Sequence, residues 1–193
     1  MSNWLAIDTN TSLAGGWTND QRKQNVDIMY KYFRRKKHWS IESIAAMLGN
    51  MQYESWLNPG QWETGFPKYQ GGFGLVQWTP YTNFSSWAGP DWDTDYDLQM
   101  QRIQYEMENG LQWIPTTTYN FSFEQFTKMR LSDHDIAYLT KAFEYCYERG
   151  TWSNQRITYA EYWYKYLKKK ELLFFIVITT ESRNRKAKGV YFK

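Results

Sequence analysis

Apolar positions along the 193-residue chain recur mostly at helical rather than strand spacing. Thr18, Asn19 and Asp20 offer capping side chains for a helix reaching about Lys37, with Val26, Met29, Tyr30 and Phe33 on one face. Ser40 is a good N-cap for a second helix, whose buried stripe is Ile41, Ile44, Ala45, Leu48 and Met51. Asn58-Pro59-Gly60 is expected to stop that helix. Over residues 60–74 the helical period breaks, and Gly65, Pro67, Gly71, Gly72 and Gly74 punctuate short aromatic stretches, the pattern of a hairpin or an irregular loop. Further helices are predicted near residues 82–88, 95–108, 122–129, 133–147 and 159–168. The fold class this pattern implies is mainly α, of an α+β kind, with one small β element near residue 65.

No internal repeat or low-complexity linker divides the chain. Residues 1–17 are polar and glycine-containing and read as a loose lead-in, and residues 18–167 as one domain. After Leu167 the composition changes to three lysines and a glutamate, then seven apolar residues, then a basic stretch. Residues 168–193 are therefore expected to be an appendage, an extra strand or an abnormal chain end, whose β-prone apolar run would be an aggregation hazard if exposed.

Composition sharpens the picture at two points. Aromatic residues make up 20% of the chain, with 11 Trp, 16 Tyr and 11 Phe. Rings in excess of core needs stack on sugar faces or on bases, so a carbohydrate or a single-stranded nucleic acid becomes a candidate ligand. Charge separates these two. Up to Tyr164 there are 14 basic residues against 18 acidic, and beyond it 9 basic against 2 acidic. The net +3 thus belongs to the tail, and a mildly acidic body argues against nucleic acid, whose binding rests on neutralised phosphates. The tail either touches anionic polymers or is a solvated end.

Cys146 is the only cysteine, so no internal disulfide is possible, and with only His38 and His134 beside it neither a metal site nor a cofactor is expected. Asp91, Asp93, Asp95 and Asp97 alternate after Pro90, but without the glycine and terminal glutamate of a calcium loop, so helix capping is the better reading. Ser132, Asp133, His134 and Asp135 also read as a helix start. The apolar run at 172–178 is too short to span a bilayer, and Met1 to Gly16 lacks the basic start and apolar core of a secretion signal. A protein of this kind that worked outside a cell would need delivery by a lysis pore or a virion.

Glu54 is the candidate chemical group. It lies in the last turn of the second helix, at the edge of the stripe that Leu48, Met51 and Gln52 define, among Tyr53, Trp56 and Leu57. Partial burial and the negative end of the helix dipole both disfavour an ionised carboxyl there, which suits a general acid. The alternative is an ordinary surface glutamate.

The residues that follow narrow the choice. Ala46 to Ser55, Leu57-Asn58-Pro59-Gly60-Gln61-Trp62 and above all Gly72-Phe73-Gly74-Leu75-Val76-Gln77-Trp78-Thr79-Pro80, in this order and spacing, resemble the phage tail lysozyme family of the lysozyme superfamily. The likeness is strongest to its tail-knob, wall-degrading members in phi29-like phages, and Cys146-Tyr147-Glu148-Arg149 and Ala160 to Lys165 fit the same family. The resemblance spans roughly residues 20–167. It implies a lysozyme-like helical domain with a small β-hairpin as one lip of a glycan cleft. It also implies Glu54 as proton donor to the glycosidic oxygen of the β-1,4 bond between N-acetylmuramic acid and N-acetylglucosamine.

Gln77 matches the Gln of the Gly-Leu-x-Gln motif in goose-type lysozymes and lytic transglycosylases, where it lines the cleft; alternatively its amide bonds backbone in a turn. Gly72 and Gly74 either let backbone approach the sugar or serve the turn. Trp62 and Trp78 are sugar platforms or core, and Tyr147 faces the acid across the cleft by analogy with transglycosylases. Glu148 reads as a structural partner of Arg149 or Arg156. Glu63 is the first candidate for a second carboxylate, against a solvated hairpin residue.

The implied partners are peptidoglycan glycan strands and other phage tail proteins, with no nucleic acid and no membrane span. The implied location is the virion tail, or the host cytoplasm before release through a holin. Three alternatives stay open: a lytic transglycosylase giving 1,6-anhydro products, a soluble endolysin, and a wall-binding module without turnover.

Overall fold

The computed structural model describes residues 2–13 and 16–187. Among these, seven α-helices are joined by loops: α1 (Asn19–Tyr30), α2 (Ile41–Ser55), α3 (Thr82–Ala88), α4 (Asp97–Glu108), α5 (Phe123–Lys128), α6 (Ile136–Phe143) and α7 (Gln155–Ala187). α1 runs on into a π-helical turn at Lys31–Lys36, and α6 into another at Glu144–Glu148. Helix starts follow local chemistry. Thr18 with Gln21 and Ser122 with Gln125 form reciprocal capping boxes, while Ser40 and Asp135 cap α2 and α6. Asp133 instead accepts from the Arg130 amide, and the helix begins at Ile136, three residues later than Asp133.

α2 is the central element, buried nearly all round, and α7 and α6 pack on it. The buried stripe of α7 is Arg156, Ala160, Trp163 and Leu167, spaced four, three and four residues apart. Gly49 of α2 makes that crossing possible, because a Cβ there would lie 2.5 Å from the Arg156 carbonyl oxygen and 2.6 Å from the Ala160 Cβ. Trp163 Nε1 donates to Gln52 Oε1 at 2.7 Å across the same interface.

α2 ends earlier than Asn58-Pro59-Gly60 would have it. Trp56 and Leu57 both take left-handed backbone (φ 58° and 63°), a conformation costing about 1–2 kcal/mol per non-glycine residue. Arg22 stacks over the Trp56 ring at 5.2 Å and helps hold it there.

The expected β-hairpin lip is not formed as strands. Among the described residues there are only isolated bridges: Thr9 with Gln61, Trp62 with Phe73, and Phe73 with Trp78. Left-handed Tyr69 (φ 68°), Gly74 (φ 83°) and Gln77 (φ 52°) turn the chain before a ladder can extend. The segment is an irregular lip packed by its own aromatic side chains, Trp62 meeting Tyr69, Phe73, Tyr81 and Trp92.

Two further expectations change. The lead-in is tied down rather than loose: Ile7 exchanges two hydrogen bonds with the Asn58 side chain, Leu5 bonds Asn25, and Ser2 and Trp4 bond Asp97. Residues 168–187 continue α7 as helix, not strand. Helical spacing keeps Glu171 and Lys170 facing α1, where Glu171 accepts from Tyr30 (2.6 Å) and Arg34 (2.8 Å) and Lys170 meets Asp27 at 2.8 Å. Leu172 to Ile176 lie exposed on the same helix. Residues 188–193 fall outside the described residues. No helix of the described residues is long and apolar enough to cross a membrane.

Candidate active site

A cleft of about 580 Å³ opens between the end of α2, the irregular lip and the segment after α6. Its lining includes Glu54, Glu63, Gln77, Trp78, Tyr147 and Glu148. A second hollow of about 590 Å³ lies by α1 and α4, but its two carboxylates, Asp27 and Asp97, are occupied by Tyr166 and Lys170 and by Ser2 and Trp4.

The adjacent Glu-Ser pair positions the first wall. Ser55 Oγ bonds the Met51 carbonyl within α2 and the Leu75 carbonyl of the lip (2.9 Å), which ties the end of the helix to the glycine-rich loop. α4 holds the loop from behind: Gln99 accepts from the Leu75 amide and donates to the Pro59 carbonyl. Gly74 is packed against this same Gln99, whose Oε1 would sit 2.7 Å from an added Cβ, and it is not among the cleft-lining residues.

Glu54 itself is about one-fifth exposed and reaches the cleft. Its Oε1 accepts from Arg156 Nη2 at 2.5 Å. Arg156 is buried, 1% exposed, and has several partners: Nη1 meets Asn50 Oδ1 at 3.2 Å and Glu144 Oε2 at 3.0 Å, and the guanidinium lies over the Tyr53 ring. Three carboxyls, on Glu54, Glu144 and Glu148, therefore gather about one guanidinium. Burial pushes the Glu144 carboxyl up to about 7, against the pull of Arg156 and with Glu54 adding to the rise. Burial, then Glu54 and Glu144, push Glu148 well above the carboxylate range.

The expected ion pair of Glu148 is not made. Arg149 turns to the Gln112 and Cys146 carbonyls, Arg156 to Glu54 and Glu144, and Glu148 Oε1 is buried with no partner among the described residues. Tyr147 does line the cleft, but its hydroxyl donates to Glu106 Oε2 at 2.7 Å. Glu106 also accepts from Trp78 Nε1 and Arg102 Nε, a buried carboxylate with every lone-pair direction served.

The remaining predicted residues divide. Glu63 lies on the lip side of the cleft, partly buried, its Oε2 accepting from the Gly72 amide at 2.9 Å. Gln77 lines the cleft while its Nε2 is spent on the Gln61 and Gly74 carbonyls, so it has both a turn role and an Oε1 left to accept. Trp78 borders the cleft but is 3% exposed and stacks on Phe84. Trp62 is equally buried, donates to Asp8, and is not among the residues lining the cleft. Sequence reasoning named Arg156 only as a partner for Glu148, and found neither its pairing with Glu54 nor Glu144. The signal for Arg156 was present, since a cation at an apolar-stripe position of a helix needs buried partners.

A carboxyl at a helix end, facing a glycine-rich lip across a groove in a mainly helical domain, defines a lysozyme-like protein, and the chain belongs to the phage tail lysozyme family, whose profile matches residues 24–167. Among its relatives is morphogenesis protein 1 of Bacillus phage B103, a phi29-like phage. It is 42% identical over 134 residues, covering 67% of this chain and 35% of that protein. The match thus spans about a third of the relative's own length.

Proposed function

We propose that this chain is a peptidoglycan glycosidase, a phage tail-associated lysozyme that cleaves the β-1,4 bond between N-acetylmuramic acid and N-acetylglucosamine to open the wall locally. Glu54 gives a proton to the leaving glycosidic oxygen as the bond lengthens toward an oxocarbenium-like state. The observation that supports this most is the shared cleft, whose lining includes both Glu54, at the end of α2, and Glu63, on the lip. Two carboxyls on one groove are what hydrolysis uses, one as acid and the other as base or nucleophile, and this favours a hydrolase over a lytic transglycosylase. Arg156, bonded to Glu54 Oε1, fixes the direction of that side chain in the cleft.

Digestion of purified peptidoglycan, with mass spectrometry of the released muropeptides, tests the reading. The parent is expected to give reducing N-acetylmuramic acid ends, and Glu54→Gln to lose about a thousandfold or more in rate, the upper scale of general acid catalysis. Products with 1,6-anhydro ends would move the assignment to a transglycosylase, and unchanged clearing by Glu54→Gln would remove Glu54 from the chemistry. Immunoblotting of purified virions separates a tail component from a soluble endolysin.

A further inference from the structure

The carboxyl of Glu148 has no use in the proton donation described above, yet it borders the same cleft. Its surroundings are unusual for an acid. Every neighbouring cation is committed elsewhere, with Arg156 on Glu54 and Glu144, Arg149 on the Gln112 and Cys146 carbonyls, and Arg102 on Glu106. The groups that face it are carboxyls: Glu54 from α2, Glu144 from its own segment and Glu106 from α4, with the Arg156 guanidinium from α7. Its Oε1 is buried and accepts nothing, which leaves the other oxygen as the one the cleft can reach.

An ionised carboxylate with a buried, unserved oxygen beside three other acids would be strongly destabilising. A neutral carboxylic acid there is tolerated, and it has an O–H to donate that makes no hydrogen bond among the described residues. Three neighbouring cleft groups have no such donor free. Gln77 has used its N–H donors on backbone, Tyr147 has given its hydroxyl to Glu106, and Trp78 its indole N–H to the same residue. A glycan has acceptor oxygens on every sugar, in its hydroxyls and acetamido carbonyls, which a donor on this wall of the cleft can meet.

We propose that Glu148 is a substrate-binding residue of the cleft, presenting its carboxyl O–H as a hydrogen-bond donor to an acceptor oxygen of the bound glycan. The direction in which burial and the surrounding acids push its carboxyl supports this, since it favours the protonated form. The inference rests on the glycosidase reading for its ligand, but on binding rather than turnover.

The test therefore measures affinity. Soluble, peptide-free strands of alternating N-acetylmuramic acid and N-acetylglucosamine are titrated by calorimetry into Glu54→Gln, which cannot cut them, and into the same protein carrying Glu148→Gln or Glu148→Ala. Gln is isosteric, neutral and a donor, so Glu148→Gln is expected to weaken binding by no more than about threefold, and Glu148→Ala by about tenfold, the scale of one hydrogen bond. As pH rises, affinity of the Glu54→Gln protein is expected to fall as Glu148 loses its proton, and that fall to be absent when Gln occupies 148. The same titrations repeated with Glu144→Gln in every protein separate the ionisation of Glu144 from that of Glu148.

Equal affinity in all three proteins, or Glu148→Gln as damaging as Glu148→Ala, overturns the proposal. So does an alkaline fall that survives Glu148→Gln. Thermal unfolding checks that each variant is folded, and if the Ala variant is not, the pH comparison with Gln decides. A parent that binds strands with this pattern but releases no muropeptides overturns the glycosidase reading alone. Absence of binding in every protein overturns both.

Discussion

Replacing Gly49 by alanine tests how the packing of α2 on α7 supports the site. The added Cβ would lie 2.5 Å from the Arg156 carbonyl oxygen, 2.6 Å from the Ala160 Cβ and 2.8 Å from the Ala160 nitrogen. Carbon contacts settle near 3.5–4.0 Å, so the helices must part by about 1 Å. All three obstacles are backbone or Cβ of α7, and no rotamer change relieves them. A gap of that size forfeits roughly a quarter to a half of each dispersion contact along the crossing. Overpacking of a well-filled core costs about 1–3 kcal/mol, and the crossing belongs at the upper end because α2 and α7 form the most extensive helix pair.

The gain from alanine in a helix returns about 1 kcal/mol. A net loss of about 2 kcal/mol follows, or roughly 4–8 °C in Tm for a domain of this size. Thermal unfolding of Gly49→Ala against the parent measures it, with Gly16→Ala as control, since nothing lies within 4 Å of a Cβ there. Because the first obstacle is Arg156 itself, whose Nη2 holds Glu54, cleavage of peptidoglycan at a temperature where the variant is folded is expected to fall as well. A Gly49→Ala protein melting within about 1 °C of the parent would refute the packing argument.

Three other outcomes follow from the buried charges. Glu144 has its folded value raised to about 7 from an ordinary 4.5, so its contribution to stability is fully present below 4.5 and is lost as pH rises through 7; Glu144→Gln is expected to flatten that part of a stability-against-pH curve measured by urea unfolding. Glu106 receives Trp78, Arg102 and Tyr147, so Glu106→Ala is expected to cost about 3–5 kcal/mol by stranding those donors, against about 1 for Tyr147→Phe, both read from urea midpoints. Burial pushes the Cys146 thiol up to about 11, and a thiol reagent at neutral pH is expected to label it only at the rate of unfolding, so fast labelling of native protein would contradict its placement in the core.

The local period of apolar residues and the capping side chains determined most helices by themselves, because both act within a turn or two of chain. Ser40 and the stripe from Ile44 to Met51 place Glu54 at a helix end without any knowledge of the fold. The Gly72 to Trp78 segment likewise announces a tight turn and a family. What the chain pattern could not decide depends on meetings between distant segments. Helix or strand after Leu167 turned on whether Glu171 would find Tyr30 and Arg34, some 140 positions away, and local β-propensity of the apolar run gave way to that. Strand or irregular lip turned on left-handed residues that only packing over α4 enforces. The partners of Arg156 come from α2 and from the segment after α6, so which carboxyl is paired and which is left unpaired is a property of three helices meeting. Charge energies depend on burial and separation, and neither quantity exists until the chain has closed on itself.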